Sequence, residues 1–206
     1  MTLWAIVPVK PLRRGKSRLS GVLSEEERTF LNFSMLGNTL KALSAVKAIE
    51  KILVISRDPA ALTLAREFGA RTVQEDSTSE LNLALQRATV VAQLYAAQSV
   101  LVLPADIPLI SPERVQALID VASKPPMVVI TPDRRHEGTN ALLINPVGLI
   151  SYTYGPNSFQ RHIEQARRYH VRVEVFEDPV LGLDLDVPED LDLLRQMESA
   201  DAQIEP

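Results

Sequence analysis

The sequence predicts a doubly wound α/β domain around one mixed, mostly parallel sheet, and three observations predict it. Short apolar runs closed by proline alternate with segments of helical periodicity; capping residues open those helical segments; and one pair of apolar runs, 127–130 and 141–145, has no helix between its members. Strand–helix alternation implies parallel strands joined by right-handed crossovers, with helices on both faces of the sheet. The uninterrupted pair makes part of that sheet antiparallel. At 206 residues, 46% of them hydrophobic and 23% charged, the chain can bury one core without covalent staples.

Each element follows from local chemistry. Leu3 to Val9 is an apolar run suited to a central strand buried on both faces. Ser24 followed by Glu27 is a capping box ahead of a helix that carries Phe30, Leu31, Met35, Leu40 and Leu43. Lys51 to Ile55 is a second strand, and Asp58-Pro59 supplies an N-cap and first-turn proline for a helix through Phe68. Arg71 to Gln74 is a short third strand, and helical spacing runs from about Ser79 to Ala97. Ser99 to Leu103 is another buried strand, and Ser111-Pro112-Glu113 opens the next helix. After the 127–130 and 141–145 pair come a helix over 158–168, a strand over 171–176 and a helix opened by Pro188. One domain over 1–200 is expected, with 201–206 a frayed tail.

Composition removes several classes of function. The absence of cysteine excludes disulfides, thiolate metal sites and thiol nucleophiles. No leader precedes the first strand and no apolar run approaches the ~20 residues of a membrane span, so the chain is read as cytoplasmic, with no membrane partner. A net charge of -4 argues against nucleic acid as a partner. Yet residues 10 to 18 hold five of the 22 lysines and arginines and no acid, which points to a small phosphate ligand.

In open α/β sheets, ligands bind beyond the carboxyl ends of the strands. The loop after the first strand carries Lys10, Lys16 and Arg18, cations able to neutralise successive phosphates. It is not a P-loop, and a solvated basic loop is the competing reading. Asp106 follows the strand at 99–103 between Pro104 and Pro108, placed either as a metal ligand or as an organiser of the turn before Ser111. Asp184 and Asp186 alternate about Leu185, so both carboxylates face one side of an extended segment, where a cation is the natural partner. For Asp186 a place at the N-terminus of the helix after Pro188 is an equal alternative. Glu189 and Asp190 read as first-turn helix charges.

Together these segments resemble the guanylyltransferases that act on 2-phospho-L-lactate or phosphoenolpyruvate in coenzyme F420 biosynthesis. The resemblance spans nearly the whole chain. It rests on Val7-Pro8-Val9-Lys10-Pro11 with Lys16-Ser17-Arg18-Leu19, on Leu81-Asn82, on Leu103 to Leu109, on Gly138-Thr139-Asn140-Ala141-Leu142, on Gly155 to Phe159, and on Leu185 to Leu191. It implies a single-domain nucleotidyltransferase fold, a GT-A-like, Rossmann-type three-layer sandwich. It implies GTP bound over the first loop by Pro8, Val9, Lys10, Leu81, Asn82, Pro104 and Ala105, and Mg2+ or Mn2+ held by Asp106 with Asp184 and Asp186. It further implies an acceptor, a small phosphorylated carboxylic acid, bound by Thr139, Gly155 and Ser158, with hand-off of the product to the next enzyme of the pathway. Gly155 and Ser158 stand at the start of a helix, where amides and a hydroxyl hold anions, although a plain N-cap is as good a reading of Ser158.

Two positions depart from the family pattern, Glu80 before Leu81 and Asn157 before Ser158, each where glycine is usual. Asparagine still reaches the left-handed conformation, and Glu80 puts a carboxylate near the base pocket. The chemistry expected is attack by the acceptor phosphate on the α-phosphorus of GTP, with Lys10, Lys16, Arg18 and Asp106 as the catalytic groups. The nucleophile is already ionised, so His136 and His162 need no general-base role. His162, Arg134, Arg135 and Arg161 are at most contacts to the acceptor phosphate. The alternatives are a related transferase for a molybdopterin, sugar phosphate or choline phosphate, and a non-catalytic nucleotide-binding subunit.

Overall fold

Strand β1 (Leu3–Val9) is the axis of the molecule, and its side chains divide the core in two. The computed structural model describes residues 2–13, 15–75, 80–122 and 124–201. Leu3, Ala5, Val7 and Val9 face one cluster while Trp4 and Ile6 face the other, as a strand buried on both faces requires.

The elements follow in chain order: α1 (Glu25–Ala45), β2 (Ile49–Ser56), α2 (Pro59–Glu67), β3 (Arg71–Gln74), α3 (Leu81–Leu94), β4 (Ser99–Val102), α4 (Pro112–Val121), β5 (Met127–Pro132), β6 (Thr139–Asn145), α5 (Ser158–Arg168), β7 (Arg172–Val175) and α6 (Pro188–Asp201). A 3-10 turn at Ser17–Leu19, which periodicity did not reveal, interrupts the loop after β1. The expected helix start at Ser79 falls outside the described residues. β2, β5 and β6 run longer than their apolar cores because strand pairing carries on into flanking polar residues.

The seven strands lie in the order β3-β2-β1-β4-β6-β5-β7. β6 alone runs against its neighbours, antiparallel to both β4 and β5, while the other pairs are parallel. This is the expected mixed, mostly parallel sheet. α1, α2 and α4 cover one face through Leu36, Leu40, Leu62 and Val115; α3 and α5 cover the other through Leu85, Ala88, Phe159 and Ile163. Three layers result.

The caps behave as the sequence requires. Ser24 and Glu27 form the full capping box, the Ser24 hydroxyl accepting the Glu27 N–H at 3.2 Å and the Glu27 carboxylate accepting the Ser24 N–H at 2.7 Å. Asp58 caps α2 and also accepts the Leu12 N–H at 2.7 Å, which ties the first loop to the start of that helix. Ser158, by contrast, is not an N-cap. Asn157 takes that place in the left-handed conformation, φ 55°, and Ser158 is the first helical residue, with its side chain turned inward.

Candidate functional site

β1 and β4 are neighbours whose connections leave toward opposite edges of the sheet, so a crevice opens between their carboxyl ends. A cavity of about 350 Å3 occupies it, within the roughly 300–1,000 Å3 usual for small-ligand sites. Pro8, Val9, Lys10, Leu81, Pro104 and Ala105 line it, and so do Lys16, Asp106 and Asp186. Of the residues expected around the nucleotide only Asn82 is not in the wall.

Lys16 is drawn into the site by its backbone. It holds a left-handed conformation, φ 58°, just before the 3-10 turn, and its ammonium lies 3.1 Å from the Asp106 carboxylate with the side chain only 6% exposed. Asp106 therefore does not cap α4; Ser111 does that. The Asp106 carbonyl accepts the Leu185 N–H at 3.1 Å, which fastens the 184–186 segment beside the β4 loop. Leu183 and Leu185 are buried while Asp184 and Asp186 are half-buried, so the alternation expected of this segment holds although it joins no strand.

Asp184 sits deepest. Burial, reinforced by the neighbouring Asp106 charge, pushes its carboxyl up to about 6, opposed by a hydrogen bond from Asn140 Nδ2 at 3.3 Å. Such a pair of carboxylates in one low-dielectric corner wants a cation, and in the free protein Lys16 supplies the nearest one. Asp186 stands apart, paired with Arg18 at 2.8 Å at the exposed rim. Among the described residues no three acidic or histidine side chains converge on one point. The donor set fits a hard divalent ion that takes one or two protein carboxylates and completes its shell with phosphate oxygens and water.

The Asp186 loop has a support that its sequence did not suggest. Asp190, only 2% exposed, accepts the N–H groups of Asp186 and Val187, both at 2.8 Å, and pairs with Arg134 at 2.6 Å. Asp190 is thus the first-turn helix charge expected from the sequence and, in addition, a buried anchor whose partner is Arg134.

β6 enters at the same edge. Val102 is opposite Leu142, so Thr139 and Asn140 fall level with the loop that carries Asp106. The β5–β6 turn is drawn tight by Asp133, which accepts the Arg135 and Glu137 N–H groups at 3.2 and 2.8 Å; a Cβ on Gly138 would sit 2.9 Å from that carboxylate. Successive side chains of β6 then take opposite faces. Asn140 donates to the Leu181 carbonyl at 3.0 Å and to Asp184. Thr139 turns to the other side, where its hydroxyl lies 3.2 Å from Ser158 Oγ and 3.1 Å from His162 Nδ1.

The Gly155 loop closes this second half. Gly155 has φ 120°, open only to glycine, and Arg161 of α5 folds back onto the Thr153 and Tyr154 carbonyls. Asn82, from the first turn of α3, grips Tyr154 from the other side. Thr139, Gly155 and Ser158 therefore form one group, and Lys10, Lys16, Asp106 and Asp184 another, with β6 between them. His136 lies outside both, on the surface beside Glu177.

The chain is similar to known proteins over its full fold. A family model described as guanylyl transferase CofC-like matches residues 3–200. A phosphoenolpyruvate guanylyltransferase of Rubrobacter xylanophilus is 44% identical over 191 residues, 93% of this chain and 92% of that protein. A 2-phospho-L-lactate guanylyltransferase of Methanocaldococcus infernus is 33% identical over 211 residues, 98% and 93% of the two chains. Among solved structures, a nucleotidyl transferase from Methanothermobacter superposes with a TM-score of 0.71 at 15% identity, covering 95% of this chain and 97% of that one. A 4-diphosphocytidyl-2C-methyl-D-erythritol synthase from Anaerococcus prevotii superposes with a TM-score of 0.63 at 12% identity over 96% and 98%. The structural likenesses give the fold, which is the nucleotidyltransferase sandwich expected from the sequence. With the family model spanning nearly every residue, the chain belongs to the guanylyl transferase CofC-like family.

Proposed function

We propose that this protein transfers GMP from GTP to phosphoenolpyruvate or 2-phospho-L-lactate, releasing pyrophosphate, as a step of coenzyme F420 biosynthesis. The observation that carries the proposal is the meeting of two unlike half-sites at one sheet edge. A cavity with Lys10 and Lys16 in its wall ends at Asp106, and across β6 lies a compact polar group at Thr139, Gly155 and Ser158. The guanylyltransferase names of relatives at 44% and 33% identity support the donor and the acceptor class.

In this reading an acceptor phosphate oxygen attacks the α-phosphorus in line; the new P–O bond forms as the α–β bridging bond breaks, and pyrophosphate leaves with the electron pair. Lys10, Lys16 and Arg18 neutralise the triphosphate and the departing pyrophosphate. Thr139, the Gly155 backbone and Ser158 hold the acceptor. Mg2+ or Mn2+ on Asp106 and Asp184, with Asp186 at the rim, supplies Lewis-acid polarisation of the α-phosphate when bound. The reaction would run in the cytoplasm, its product passing to the next enzyme of the pathway.

Pyrophosphate release is the test, measured with GTP, Mg2+ and each acid in parallel, with ATP as the nucleotide control. Release with GTP and one acid is expected. GTP binding without release for any acid would overturn the acceptor assignment and favour a transferase for another phosphorylated acceptor or a non-catalytic nucleotide-binding subunit.

A further inference from the structure

His162 is fully buried, yet no step of the transfer uses it. Its ring is fixed at both nitrogens. Nε2 lies 3.0 Å from the Thr153 backbone N–H, which can only donate, so Nε2 carries no proton. The single proton of a neutral imidazole is then on Nδ1, 3.1 Å from the Thr139 hydroxyl oxygen.

That oxygen also receives the Ser158 hydroxyl at 3.2 Å. A hydroxyl has two lone pairs and one hydrogen, and here both lone pairs face donors from α5, the Nδ1 proton being shared with the Ser158 backbone carbonyl. The hydrogen of Thr139 is left for a third partner, and it can meet only an acceptor. The edge of the Tyr154 ring packs against the imidazole, with centroids 5.1 Å apart.

We propose that His162 is a positioning residue which, as the Nδ1–H tautomer, makes the Thr139 hydroxyl an obligate donor. The second half-site then selects a ligand group with an accepting oxygen, a carboxylate or phosphate, and turns away a purely donating one such as an ammonium. The proposal deepens, and rests on, the reading that Thr139 contacts the acceptor. It adds a reason for the small anionic acid, since an ammonium at this point would leave two donors facing each other.

The tautomer is read directly by side-chain 15N spectroscopy of the intact protein, which has three histidines to assign. The expected spectrum shows a protonated Nδ1 and a bare Nε2 for His162; a protonated Nε2 would overturn the proposal. Kinetics supply the second arm, with whichever of phosphoenolpyruvate and 2-phospho-L-lactate supports pyrophosphate release. His162→Leu should raise the KM for that acid about tenfold, a loss of one hydrogen bond's selectivity, with the KM for GTP and kcat within about twofold. His162→Asn keeps an N–H near the Nδ1 position and should restore most of the loss. Equal effects on both substrates, or no rescue by asparagine, would reduce His162 to a packing role. If Thr139→Val leaves the acid's KM unchanged while the tautomer is as expected, the acceptor reading of Thr139 fails and this proposal falls with it.

Discussion

Asn82 binds both backbone groups of Tyr154: its Nδ2 donates to the carbonyl at 3.1 Å, and its Oδ1 accepts the N–H at 2.7 Å. One side chain at the start of α3 thereby fixes the loop that precedes Gly155, while its neighbour Leu81 lines the cavity on the other side of the crevice. The two half-sites are joined through this contact.

Asn82→Ala should therefore loosen the Gly155 loop more than the nucleotide cavity. Two half-buried hydrogen bonds are lost, a cost of about 1–2 kcal/mol in stability. In steady-state kinetics the KM for the acid should rise several-fold more than the KM for GTP. A larger effect on GTP would assign Asn82 to the nucleotide itself.

Asp106→Asn removes the carboxylate that Lys16 contacts and keeps its size. The rate of pyrophosphate release should fall by about 10^3-fold or more, because charge stabilisation at the α-phosphate is lost. Thermal unfolding should move by no more than a few degrees, since relief of the repulsion on Asp184 offsets the lost ion pair. A variant that unfolds would contradict the metal role given to Asp106.

Divalent metal should stabilise the protein chiefly when GTP is present, as two carboxylates alone are a weak site for Mg2+. In scanning calorimetry, Mg2+ with GTP should raise Tm clearly above GTP with a chelator, and Asp184→Asn should abolish that difference. An identical Tm with and without the chelator would remove the metal from the mechanism.

His162 makes stability depend on acid. Burial, helped by the nearby Arg161 charge, lowers its ring to about 4 from an ordinary 6.5, opposed by the hydrogen bond that the ring donates to the Ser158 backbone carbonyl. The folded state thus excludes a proton that the unfolded chain binds. This contribution is fully present above pH 6.5 and is lost as pH falls from 6.5 through about 4, an effect of at most about 3 kcal/mol. Chemical denaturation should show wild type weakening across this window, with the slope reduced in His162→Asn. Equal slopes would mean that the ring takes up its proton without strain.

The sequence by itself determined the doubly wound architecture, because strand and helix periodicities, proline stops and caps such as Ser24–Glu27 are local signals that need no tertiary partner. It also placed Lys10, Lys16 and Asp106 at one edge, since the carboxyl ends of parallel strands share a side, whereas Thr139 and Ser158 entered through the family resemblance alone. Tertiary structure alone decided what these groups touch. Nothing local in Pro188-Glu189-Asp190 shows that Asp190 is buried against Arg134, 56 positions earlier in the chain. The face taken by His162, the grip of Asn82 on Tyr154 and the seating of Asp184 beside Asp106 likewise depend on elements brought together by packing. Hydrogen bonds and pKa shifts are set by distance and burial in space, and spacing along the chain carries neither.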